Sequence, residues 1–122
     1  MQLKKIKTRV TKRKLTKCGV CRTYSDIAYR FATLLEEDCR VKEFACNVEL
    51  NGVLIGKEPK AYTTDFYITY CDGSIAVREC VQRDMICKPR NIKLLETSKD
   101  YWEKNGVTDW GIVTNKEGLK DE

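Results

Sequence analysis

The stretch that most limits what this chain can become is YTTDFYITYCDGSIAVRECV, residues 62–81. Two runs rich in Tyr, Thr, Ile and Val flank Cys71-Asp72-Gly73-Ser74, a composition that predicts a β-hairpin. Each strand carries one acid, Asp65 before the turn and Glu79 after it. Glu79 alternates with Val77 and Val81, which sets it on an apolar face where an ionised group needs a partner or a metal. Carboxylates from neighbouring strands can together hold a hard cation such as Mg2+.

The turn decides whether the two acids can meet. A two-residue Asp72-Gly73 turn pairs Cys71 with Ser74 and sends Asp65 and Glu79 to different faces; the apolar alternation favours this register. A three-residue loop with Gly73 left-handed pairs Tyr70 with Ser74 and sets Asp65 opposite Glu79. The bland alternative for both acids is satisfaction by Arg78, Lys60 or backbone amides.

At 122 residues and 42% hydrophobic content the chain fits one domain with one core. No signal peptide and no apolar run of membrane-spanning length is present, which predicts a soluble, cytoplasmic protein. Histidine is absent, so Ser-His-Asp and Cys-His catalysis within the chain are excluded. Seven cysteines, an odd number scattered through strand and helix patterns, read as thiols in a reducing compartment. Cys18-Gly19-Val20-Cys21 lacks a second such pair and reads as a flexible loop rather than a metal or redox site.

Charge is uneven. The chain carries +5 overall, yet residues 1–17 hold eight basic residues (Lys4, Lys5, Lys7, Arg9, Lys12, Arg13, Lys14 and Lys17) and no acid, leaving the remainder at −3. Residues 1–21 therefore read as a basic arm suited to DNA or RNA, or else as a solvated leader.

Beyond the arm, Ser25 to about Asp38 predicts a helix with Ile27, Phe31, Leu34 and Leu35 on its apolar stripe, and Glu36, Glu37 and Asp38 as a solvated end. Val41–Leu50 predicts a strand closed by an Asn51-Gly52 turn. After the hairpin, Gln82–Arg90 reads as a polar connection. A second helix from about Asn91 to Lys104, with Ile92, Leu95 and Trp102 on one face, stops at Asn105-Gly106. A last strand covers Trp110–Thr114, before a frayed, charged end. Tyr101, Trp102 and Trp110 fall at core spacing rather than as base-stacking platforms. The order α-β-β-β-α-β predicts a small mixed sheet flanked by helices.

The Tyr62-Thr-Thr-Asp65-Phe66 segment and KLLETSKDYWEKNGVTDWGIVT, residues 93–114, resemble the N-terminal domain of TnsA-type transposon-end endonucleases, over about residues 22–116. The resemblance implies a restriction-endonuclease-like α/β fold for residues 22–116, with 117–122 as a charged tail. It also implies Mg2+-dependent cleavage of DNA and a transposase subunit as partner. Asp65 matches the family's metal-binding Asp and Glu79 the acid of its E-x-K strand. Val81 stands where the family has a lysine, and Ala28 where its first helix has a glutamate. A migrated lysine, Lys88 or Lys93, or Arg83, could replace the missing one; Arg78, on the opposite face from Glu79, is poorly placed. Two functions follow: a DNA endonuclease subunit, or a silent DNA-binding or assembly subunit that keeps the nuclease fold. The second domain of longer family members has no counterpart in these 122 residues.

Overall fold

The computed structural model describes residues 10–50, 54–55, 58–59 and 62–115. The chain opens with a hairpin, β1 (Thr11–Leu15) and β2 (Gly19–Thr23), in which Thr11 pairs with Thr23 and Leu15 with Gly19. Gly19 adopts φ +77°, a left-handed turn conformation that glycine enters without a Cβ penalty. The part of the expected basic arm between residues 10 and 21 is therefore folded structure; Lys4, Lys5, Lys7 and Arg9 lie outside the described residues.

Helix α1 (Asp26–Glu37) starts where expected, because the Ser25 side chain accepts the Ala28 backbone N–H at 3.1 Å. Its buried face is Ile27, Ala28, Ala32 and Leu35, whereas Leu34 is 61% exposed. Following the large aliphatics alone rotated the predicted stripe; the two alanines mark its true centre, since small side chains let the helix approach the sheet closely.

The main sheet has the order β3-β6-β7-β8, with β3 (Val41–Leu50), β6 (Tyr62–Tyr70), β7 (Ile75–Cys80) and β8 (Asp109–Val113). β6 runs antiparallel to both β3 and β7, and β8 lies parallel to β7. A parallel neighbour requires a crossover, supplied by a 3-10 turn (Arg83–Met85) and α2 (Pro89–Lys104). Two short paired segments, β4 (Leu54–Ile55) and β5 (Glu58–Pro59), lie between β3 and β6; the expected Asn51-Gly52 turn is outside the described residues.

The β6–β7 turn is the three-residue one. Gly73 has φ +91°, Tyr70 N–H donates to Ser74 O at 2.9 Å, and Phe66 pairs with Arg78. The apolar alternation, which favoured the other register, is overruled by this left-handed glycine. Continued one step, the register brings Asp65 opposite Glu79.

Each face of the sheet has its own core. Phe44, Phe66, Ile68, Ala76 and Cys80 pack with Ile27, Ala28, Ala32 and Leu35 of α1. Leu50, Tyr62 and Val77 pack with Leu94 and Trp102 of α2. β3 and β6 exchange faces midway: Cys46 and Phe66 belong to the first core, while Val48 and Tyr62 belong to the second. Cys46 pairs with Phe66 and Val48 with Thr64, so the reversal falls at Asn47 and Asp65, and Asn47 takes the left-handed φ of +58°. A local kink of this kind re-aims side chains without breaking the ladder on either side.

α2 begins at Pro89, earlier than expected, since proline at the first turn loses no helical hydrogen bond. It buries Leu94, Leu95, Ser98 and Trp102, while Ile92 is 41% exposed. Its stop at Asn105-Gly106, with Gly106 at φ +87°, is as the sequence predicts. Among the described residues no helix is long and apolar enough to cross a membrane.

Candidate functional site

The site forms where β6 and β7 diverge. Their backbone pairing runs from Thr69 with Ile75 to Phe66 with Arg78, and beyond it the two acids take over. Asp65 N–H donates to Glu79 Oε1 at 3.1 Å, and Cys80 N–H donates to Asp65 Oδ2 at 2.7 Å. Each carboxylate thus receives a backbone donor across the opening fork. This bears out backbone amides as partners of the acids; Arg78 instead pairs with Asp109 at 2.8 Å.

Glu79 is fully buried and turned toward α2. Its Oε2 accepts from Thr64 Oγ1 at 2.9 Å and from Ser98 Oγ at 2.6 Å. Thr64 in turn accepts the indole N–H of Trp102 at 2.8 Å, and Ser98 that of Trp110 at 3.0 Å. Both indole N–H groups and both hydroxyls therefore converge on one buried carboxylate. The tryptophans are structural, as their spacing suggested, and the sequence pattern gave no signal for Ser98, which a helix of its polarity hides among exposed neighbours.

Asp65 is half-buried and faces a cavity of about 200 Å³ between α1, the kinked strands and the start of α2. Ala28, Val81, Arg22, Cys46 and Leu95 are among its lining residues, and Asp65 is the acid on that wall among the described residues. The three positions to which the resemblance assigns a glutamate, an aspartate and a lysine thus meet at one cavity as Ala28, Asp65 and Val81. Lys88, Lys93 and Arg83 are exposed and do not line it; among the described residues the cation on the wall is Arg22.

Mg2+ needs near-octahedral oxygen coordination, commonly from one or two carboxylates and waters. Here Ala28 and Val81 offer no ligand, and Glu79 is committed to the interior by three donors. The donor set is a poor fit to a nuclease Mg2+ centre.

The basic residues of the first hairpin divide into two groups. Arg13 donates to Thr33 Oγ1 at 2.7 Å and Tyr29 O at 2.9 Å, with its guanidinium 3.8 Å from the Tyr29 ring centre. Lys17 donates to Asp38 O at 2.6 Å. Both fasten the hairpin to α1 and its C-terminal end, so they belong to the folded body rather than to a free arm. Lys12 and Lys14 are exposed, and Lys12 pairs directly with Arg22 across the hairpin. Like charges placed opposite each other repel, an arrangement that a polyanion would relieve.

Glu36 also departs from the solvated end expected of it. It accepts from the Thr16 hydroxyl, from Thr16 N–H at 3.0 Å and from Lys17 N–H at 3.1 Å. These bonds, the Thr16 hydroxyl foremost, hold its carboxyl below the ordinary range.

A second constellation was missed by the sequence. The sulfurs of Cys18, Cys21 and Cys46 all lie within 4.8 Å of one another. The Cys46 thiol is brought down to about 6, chiefly by the Cys21 S–H, with the Arg22 backbone N–H also donating to it. Burial pushes Cys18 up to about 11, and the hydrogen bond with Cys46 raises Cys21. Cys46 lies 25 residues beyond Cys21, a separation that belongs to no short motif; only docking of the hairpin against β3 brings it in. All seven cysteines are thiols rather than disulfides.

No family model matches the chain, and no curated protein matches it in sequence.

Proposed function

We propose that this chain is a DNA-engaging subunit of a transposition system, built on a restriction-endonuclease-like fold of the TnsA type, whose nuclease centre has fallen silent. The observation that carries the reading is the convergence of Ala28, Asp65 and Val81 on one cavity. The three positions come from α1, from β6 and from the residue that follows β7, and all three face the same cavity. The order α-β-β-β-α-β around a four-stranded mixed sheet supports the same fold class.

The side chains present argue for lost chemistry. Metal-assisted phosphodiester hydrolysis needs a cation to polarise the phosphate and generate the nucleophile. Alanine and valine at two of the positions can neither ligate nor position a water, and the buried Glu79 serves the fold. What remains is electrostatic. Lys12, Lys14 and Arg22 form an exposed basic face on the hairpin, with Arg22 at the cavity wall and the basic residues 4–9 preceding it in sequence. Such a surface binds phosphates with strong salt dependence.

The test is fluorescence anisotropy with duplex DNA over a salt series, beside nicking of supercoiled plasmid with Mg2+ or Mn2+ and a neighbouring transposase. Expected are binding that weakens steeply with salt and no metal-dependent nicking. Absence of binding at low salt refutes the DNA role. Nicking that disappears in Asp65→Ala establishes an active endonuclease in place of a silent one.

A further inference from the structure

We propose that Cys18, Cys21 and Cys46 form a binding site for zinc, with three thiolate ligands from the protein and a fourth position filled by water or an external thiol. The site uses none of the carboxylates, although Cys46 also lines the cavity that Asp65 faces, and it goes beyond the transposition reading, which could fail without affecting it.

The geometry carries the proposal. A tetrahedral thiolate site with Zn–S near 2.3 Å spaces its sulfurs by about 3.8 Å. The three sulfurs already lie within 4.8 Å of one another, so closure around an ion needs only small side-chain rotations. Cys18 and Cys21 flank the left-handed Gly19, whose turn brings the two thiols of the C-x-x-C pair to one side. Cys46 comes from β3 just before the kink at Asn47.

The surroundings are built as well as the ligands. Phe44 N–H donates to Lys17 O at 3.1 Å, and Asn47 Nδ2 donates to Arg22 O at 2.8 Å. These bonds fix the hairpin against β3 on both sides of the thiols, which limits the ordering cost of binding. Cys21 is fully buried and Cys18 and Cys46 are half-buried, so the ion would be shielded yet reachable. Three soft sulfurs without a carboxylate select zinc over Mg2+ or Ca2+.

The bound ion would staple the hairpin to the sheet. Lys12, Lys14 and Arg22 would then be held at a fixed position relative to the cavity, and binding would release the protons of whichever thiols are protonated.

The experiment uses the full chain, purified with a phosphine reductant. Metal content is measured by mass spectrometry, and Co2+ is titrated as an optical probe. Expected are one zinc per chain and a thiolate-to-cobalt charge-transfer band that zinc displaces. Cys46→Ser should weaken binding at least tenfold, while Cys39→Ser with Cys87→Ser, both outside the cluster, leaves it unchanged. If Cys46→Ser does not fold, stoichiometry and spectrum of the parent protein decide. A parent protein that gives no charge-transfer band and holds no zinc at micromolar concentration overturns the site. So does a Cys18–Cys21 disulfide under these conditions, or unchanged affinity in a folded Cys46→Ser.

Discussion

Replacing Glu79 with glutamine separates a structural acid from a metal ligand. Among the described residues the carboxylate accepts from two hydroxyls at Oε2 and from the Asp65 amide at Oε1. A glutamine has one oxygen. With that oxygen toward Thr64 and Ser98, its NH2 faces the Asp65 N–H, donor against donor. Turned over, its NH2 faces two hydroxyls that already accept indole N–H groups, and their own hydrogens lose their acceptor. Either orientation strands at least one buried donor, at a cost of about 1–3 kcal/mol. At about 4 °C per kcal/mol for a domain of this size, the melting temperature should fall by about 4–12 °C. Glu79→Ala strands all three donors and opens a void, for a loss of about 3–5 kcal/mol. Thermal and urea denaturation of the metal-free proteins measure both. A glutamine variant that melts within about 2 °C of the parent refutes the reasoning, given the size expected for one stranded donor. If it differs from the parent only when Mg2+ is added, Glu79 is a ligand after all.

Other perturbations probe the remaining claims. Arg13→Ala should destabilise the chain by about 1–3 kcal/mol through its lost bonds to α1, whereas Lys12→Glu with Lys14→Glu should leave melting nearly unchanged and weaken DNA binding. Each lost phosphate contact should flatten the slope of log affinity against log salt by about 0.9. Glu36 has a depressed pKa, so its contribution is complete above the ordinary value of 4.5 and fades as pH falls through the lowered midpoint. Amide shifts of Thr16 and Lys17 should follow that titration, and Glu36→Gln should abolish it. Placing at these positions the side chains of the TnsA-type nucleases that the sequence resembles, by Ala28→Glu with Val81→Lys, should create divalent-cation binding at the cavity, seen by calorimetry, that Asp65→Ala removes.

Much of the fold was legible in the chain. Ser25 announced its helix, Asn105-Gly106 ended another, and alternating β-branched and aromatic residues marked β3, β6 and β7, because capping, turn chemistry and periodicity act over a few residues. The turn residues around Gly73 contained both registers, and only backbone geometry at the glycine selected between them. The helix faces were less clear, since Leu34 and Ile92 are apolar yet exposed, while Ala32 and Ser98 lie inside.

What the sequence determined by itself is therefore local: the order of the two helices and the four strands of the main sheet, the basic start, the absence of histidine, and two acids on adjacent strands. Only the tertiary structure decided what those acids and thiols do. Glu79 is claimed by Ser98, 19 residues away in sequence, and Cys46 joins Cys18 and Cys21 through the docking of one hairpin on another strand. Contacts of that kind depend on which faces are packed together, and no short-range pattern records them.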